Sequence, residues 1–87
     1  MSGLVRYFIS YRSAKLPLQL VNELNETELQ HRNFYYRGIY NSVGLLTRCQ
    51  KIVYGEIESE HLYRYNEAGR LVWAQIIEDG EAQEISF

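Results

Sequence analysis

Tyr40-Asn41-Ser42-Val43-Gly44-Leu45-Leu46 recurs 25 residues later as Tyr65-Asn66-Glu67-Ala68-Gly69-Arg70-Leu71. The match continues without a gap through Gln50/Gln75, Ile52/Ile77, Gly55/Gly80 and Glu56/Glu81, giving 8 identities over 17 positions. A repeat at this spacing means that one supersecondary unit, here residues 40–56 and 65–81, is used twice. Its chemistry is that of a hairpin. Asn at the first turn position bonds the local backbone, and Gly at the fourth accepts the positive φ of a bulged turn. Phe34 to Tyr40 leads into the first turn and Leu45 to Val53 returns from it. Glu56 to Tyr65 joins the two copies, and Arg70 to Ile77 returns from the second turn. Asp79-Gly80 is a two-residue hairpin signal, with Ala82 to Phe87 as the strand beyond it.

Working outward toward the N-terminus, Leu4 to Tyr11 is rich in β-branched and aromatic residues and reads as a strand. Arg12-Ser13-Ala14 is a short connection. Lys15 to Val21 places Leu16, Leu18 and Leu20 at period two. Pro17 cannot donate to a ladder, so this strand belongs at an edge or starts irregularly. Asn25 to Arg32 is the one helix-like piece: Asn25 caps it, Glu28 completes a capping box, and basic residues close it. The expectation is a mainly β, single domain spanning 1–87. It is an antiparallel meander of about seven strands in a twisted or rolled sheet, with one short helix near residues 25–32.

Composition narrows the functional classes. No apolar run approaches the 18–20 residues of a membrane-spanning helix. Met1 to Arg6 lacks the basic and apolar segments of a secretory leader. Cys49 is the lone cysteine, which excludes an internal disulfide and suits a reducing cytoplasm. Charge is divided along the chain. Residues 1–55 carry seven Lys/Arg against three Glu, net +4, and residues 56–87 carry two Arg against eight Asp/Glu, net −6. Two readings follow: neighbouring strands exchange attractive pairs, or one copy pairs with another. With a pI near 5.6 and no basic stripe, nucleic acid is not an expected partner.

Two resemblances bear on the fold. Leu62-Tyr63-Arg64-Tyr65-Asn66-Glu67-Ala68-Gly69-Arg70-Leu71 resembles a YD (Rhs-type) repeat, with Asn66 in place of the motif's Asp. In the earlier copy Leu45 stands where the motif has Arg. The resemblance implies β-hairpin building blocks and no activity. The whole chain is similar to a small bacterial family of unknown function. The pattern is carried by Tyr7-Phe8…Ser10-Tyr11, Lys15-Leu16-Pro17-Leu18, Arg32-Asn33, the Lys51 to Glu58 segment, and His61-Leu62-Tyr63-Arg64-Tyr65. Phe8 to Ser13 also resembles the first strand of a TIR domain, but no amphipathic helix follows and the chain is too short for that fold.

The densest polar cluster is Glu56-Ile57-Glu58-Ser59-Glu60-His61, with Tyr63 and Tyr65 beyond. Strand parity places Glu56, Glu58 and Glu60 on one face and His61, Tyr63 and Tyr65 on the other, unless a bulge intervenes. The carboxylates read as a solvated face that discourages edge pairing. The His-Tyr-Tyr stripe reads as cross-strand packing or a ligand wall. Arg32 beside Asn33 is a candidate anion contact. Cys49 aligns with Ala74, so the position is a small-residue slot rather than a nucleophile. No phosphate loop, nucleophile elbow or metal-ligand spacing is present.

The expected function is therefore a non-catalytic protein-interaction or binding module, with a second copy or another protein as partner. No catalytic residue, metal, cofactor or membrane is assigned. The alternative is a small-ligand or metal-binding protein, or a minor enzyme, built on the Glu56–Tyr65 strand. The candidate ligand contacts are Arg32, Lys51, Glu56, Glu58, His61, Tyr63 and Tyr65.

Overall fold

The computed structural model describes residues 4–12 and 15–87. Residues 1–3 and 13–14, on which the leader and first-connection readings partly rest, lie outside the described residues. Seven strands form one open antiparallel sheet: β1 Leu4–Tyr11, β2 Leu20–Leu24, β3 Phe34–Tyr40, β4 Leu46–Val53, β5 Glu56–Tyr65, β6 Leu71–Glu78 and β7 Glu81–Ser86. The spatial order is β2-β1-β3-β4-β5-β6-β7. From β3 onward it is the expected meander. The departure is at the start, where β1 pairs with both β2 and β3 and places β2 on the outer edge.

The helix α1 is shorter than expected, spanning Glu26–Leu29. Its capping box is complete: Asn25 Oδ1 accepts from Glu28 N–H at 3.0 Å, and Glu28 Oε1 accepts from Asn25 N–H at 2.9 Å. His31 and Arg32 fall beyond its last turn, so no basic residue closes it.

Both repeat turns form as their residues dictate. Asn41 Oδ1 accepts from Val43 and Leu45 N–H at 3.1 and 2.9 Å, and Asn66 Oδ1 accepts from Ala68 and Arg70 N–H at 2.9 and 3.0 Å. Gly44 and Gly69 sit at φ 90° and 80°, where a Cβ is disfavoured. Each hairpin carries a register shift just before its turn, at Ile39/Tyr40 and at Arg64/Tyr65.

The segment expected to be a strand from Lys15 to Val21 is corrected. Its first five residues make no ladder, and β2 begins only at Leu20. Leu16, Leu18 and Leu20 instead pack against the core, so their period-two spacing records a segment that bends at Lys15 to Pro17 and lies over the sheet. The core beneath is Phe8, Tyr36, Leu46, Cys49, Tyr63 and Ala74. Gly38 makes room for this covering: a Cβ there would meet Leu20 Cδ1 at 2.8 Å. The opposite face buries Leu24, Ile52 and Gln50. Gln50 is held in a cross-strand row, accepting from Arg37 Nε at 2.6 Å and donating to Glu60 Oε2 at 2.9 Å.

Candidate functional site

Residues directly opposite in an antiparallel sheet share a face. Two adjacent rows on the covered face therefore build one surface. The first is Tyr36–Lys51–Ser59–Glu78 and the second is Gly38–Cys49–His61–Ile76–Gln83. Leu16 and Leu18 form one wall, and Tyr11 stands edge-on to Tyr36 with ring centroids 5.6 Å apart. Together they enclose an open groove of about 620 Å³.

A bulge in β5 brings Glu58 into this groove. Lys51 pairs with Ser59, but Ile52 pairs with Ile57, so Glu58 is the extra residue. Glu58 bonds Lys51 Nζ at 2.9 Å, and that ammonium also lies 5.2 Å from the Phe34 ring centroid. The hydrogen bond that Lys51 donates to the Glu58 carboxylate raises the Lys51 pKa. The expectation that Glu56, Glu58 and Glu60 share one face is thereby corrected. Glu60 points to the opposite face, toward Gln50 and Arg48 (3.3 Å).

His61 is half-buried on the groove floor. Its Nδ1 lies 2.7 Å from Tyr63 Oη, which also accepts from Leu18 N–H at 3.2 Å. The arrangement that satisfies all three groups has the Tyr63 hydroxyl donating to Nδ1, so the imidazole proton is assigned to Nε2. Burial lowers the His61 pKa, against a raising effect from Glu78. Burial raises the Tyr63 pKa and pushes the Cys49 thiol up to about 12. The thiol is therefore protonated and carries no nucleophile. Among the described residues, no three His, Cys, Asp or Glu side chains are grouped to hold a metal ion, and no helix is long and apolar enough to cross a membrane.

The model of a family of unknown function, DUF6156, matches residues 1–87. The chain belongs to this family. No curated protein and no solved structure matches it. The DUF6156 assignment thus brings no activity, and the site has to be read from its own residues.

Of the seven candidate contacts, the structure brings Lys51, Glu58 and His61 into the groove, with Tyr63 buried behind His61. Three are elsewhere. Glu56 is exposed beside the β4–β5 turn, opposite Val53. Arg32 Nε donates to Phe34 O at 3.3 Å. Tyr65 donates its hydroxyl to Leu46 O at 2.6 Å, and burial pushes its pKa up to about 12. Sequence reasoning missed Tyr11, Leu16, Leu18, Tyr36, Glu78, Asp79 and Gln83. The Leu-Pro-Leu spacing held the signal, since a proline among core-type leucines fits a covering segment better than a ladder.

The charge division also has a structural account. Residues 1–55 form β2, β1, β3 and β4, and residues 56–87 form β5 to β7. The halves meet at the β4–β5 seam, where Arg48–Glu60 and Lys51–Glu58 pair across it.

Proposed function

We propose that the chain is a non-catalytic binding module that receives its ligand in the groove beneath Leu16 and Leu18. The observation that carries this reading is the convergence of the Lys51–Glu58 pair, the His61 imidazole and the Tyr11–Tyr36 pair around one opening. Its volume falls in the range of ligand sites, roughly 300–1,000 Å³. The groove offers a hydrogen-bond donor at His61 Nε2, charges of both signs, and aromatic edges. These features fit a polar small molecule or the side chain of a peptide. The raised Cys49 and Tyr63 pKa values, and the use of His61 Nδ1 by Tyr63, favour binding over acid–base or nucleophilic chemistry. The lone reduced Cys49 fits a cytoplasmic setting. Two pairs at the β4–β5 seam, Arg48–Glu60 and Lys51–Glu58, take up part of the charge asymmetry within one copy.

A thermal-shift screen of polar metabolites tests this proposal, since a ligand that binds only the native state raises the melting temperature with its excess over Kd. Hits should move the amide resonances of Lys51, Ser59 and His61, and should lose their effect in Lys51→Met and His61→Phe. A screen without hits, or hits indifferent to both substitutions, removes the groove from consideration.

A further inference from the structure

We propose that the outer edge of β7 is a docking strand for an extended, basic segment of another protein. The hydrogen-bonding phase of β7 shows which groups are free. β7 pairs with β6 in unbroken register, from Glu78↔Glu81 to Trp73↔Ser86. Beyond it, Phe87 N–H donates to Val72 O at 3.1 Å. Residues that bond the neighbouring strand alternate along an antiparallel ladder. Phe87 therefore sets Ile85, Gln83 and Glu81 toward β6. The N–H and C=O groups of Ala82, Glu84 and Ser86 turn outward. Among the described residues no strand covers them, because β7 ends the sheet, and Glu81 to Glu84 are exposed.

The two edges are guarded differently: β2 is short and irregular, whereas β7 is regular and guarded only by acidic charge. β2 has five residues, and Asn22 at φ 63° interrupts its ladder between the Phe8↔Glu23 and Ser10↔Val21 pairs. Such irregularities keep edges from pairing, as do lysine and proline on an edge strand. β7 has no bulge, lysine or proline. What it carries is charge of one sign, Glu81 and Glu84, next to Glu78 at the end of β6 and Asp79 in the turn, with no Lys or Arg anywhere in residues 71–87. Trp73 Nε1 donates to Glu84 Oε1 at 3.2 Å, which steadies that carboxylate at the edge. A second copy of β7 laid alongside would add its own Glu81 and Glu84 to the same seam, and like charges crowded there disfavour self-pairing. A strand bearing Lys or Arg at alternate positions lines one face of the seam with cations and meets one carboxylate there, Glu84 or Glu81, since these lie three residues apart and on opposite faces. Main-chain rungs then supply affinity and the side chains supply selection, as in recognition by strand addition.

The test is a titration of the 15N-labelled protein with a blocked hexapeptide of alternating lysine and threonine. Shifts and exchange protection are expected at Ala82, Glu84 and Ser86, with affinity falling as salt is raised. N-methylation of alternate peptide amides should weaken binding about tenfold or more, because rungs are lost. The same peptide with glutamate for lysine should not bind. Ala82→Pro removes one outward N–H without touching a bond to β6, and should weaken binding in an otherwise unchanged spectrum. If that variant disturbs the hairpin, the N-methylated peptide carries the same test on the native protein. The proposal is overturned by shifts centred away from β7, by equal binding of the N-methylated or glutamate peptide, or by no shift at millimolar peptide. An unliganded dimer that protects the same amides overturns it too. Because Glu78, Asp79 and Gln83 also line the groove, Lys51→Met and His61→Phe separate the two readings: both should leave the peptide titration at Ala82, Glu84 and Ser86 unchanged.

Discussion

The two hairpin copies, β3–β4 and β5–β6, share a turn and part company on their returning strands. Their Asn-x-x-Gly turns match bond for bond, with Asn N–H donating to the carbonyl four residues on at 2.9 Å in both. Their small-residue slots match as well: Cys49 and Ala74 are both core residues, 3% and 0% exposed. Yet Gln50 is buried between two partners, whereas its counterpart Gln75 is only half-buried. The difference is one of neighbours. β4 lies at the centre of the sheet, between β3 and β5, whereas β6 has only the exposed β7 beyond it. The repeat specifies how each hairpin closes. Position in the sheet decides what the same residue then does.

The slot gives the largest test of this comparison. Ala74 has no free surface, so Ala74→Leu should overpack the core and cost about 1–3 kcal/mol or more. Cys49→Ala copies one repeat onto the other and should cost under about 1.5 kcal/mol, since only a sulfur's volume is lost. Urea denaturation of both variants measures the difference. Equal losses would mean that the two positions are not one slot.

Next is the glutamine pair. Gln50→Ala leaves the Arg37 guanidinium and the Glu60 carboxylate without their bridging amide and should cost about 1–3 kcal/mol. Gln75→Ala should stay within about 0.5 kcal/mol, as for a partly exposed position. A Gln75 loss as large as that at Gln50 would break the argument from sheet position.

These contrasts show how far the sequence could be read. The turns were legible because Asn41, Gly44, Asn66 and Gly69 act on their own backbone and need no distant neighbour. Cys49 was legible through its alignment with Ala74. The covering segment was not, because Leu16, Leu18 and Leu20 have the spacing of a strand and only tertiary contact shows where they lie. Nor was the bulge at Glu58, which depends on the register between β4 and β5. The Lys51–Glu58 pair hangs on that one extra residue, which brings Glu58 to Lys51 while Glu60 lies on the far face. Glu78 and Asp79 come from the second repeat, some twenty residues from the polar cluster that drew notice. No local reading would join them to it.

The second turns of the copies differ by one residue, and that difference is worth less. Asp79-Gly80 has φ 52° and 76°, as a two-residue hairpin turn requires. Tyr54-Gly55 adopts φ 51° and 79° with a bulky residue in the left-handed region. Tyr54 N–H donates to Asn33 O at 2.7 Å, which holds the turn in place. The ring itself is 76% exposed, so it contributes little packing. Tyr54→Asn should therefore stabilise the fold by up to about 1 kcal/mol, since Asn tolerates this conformation. A destabilised variant in thermal melts would reveal a role for the ring that the isolated chain does not explain.

The smallest effect is a dependence on pH, and it separates β5 from its repeat counterpart. His61 faces Cys49 from β5, whereas Ala74 is faced by Tyr63 from β5 and by Ile85 from β7, so no imidazole stands against the second slot. Burial lowers the folded His61 pKa below the unfolded value, so the folded state holds its proton less tightly than the unfolded chain does. The sign follows from that. The contribution is fully present above the unfolded pKa of about 6.5 and is lost as pH falls through the folded value. Protonation would also force Nδ1 to donate to Tyr63 Oη, which already accepts from Leu18 N–H, so the hydroxyl proton would lose its acceptor. Four other charged groups line the groove: Lys51 and Glu58, which are paired, and Glu78 and Asp79. Glu78 works against the shift and keeps it modest. Melting temperatures taken from pH 7.5 down to 5 should fall in the native protein, and His61→Gln should flatten that part of the slope. Identical slopes in the two proteins would show that the Leu18–Tyr63–His61 chain does not hold the covering segment in place.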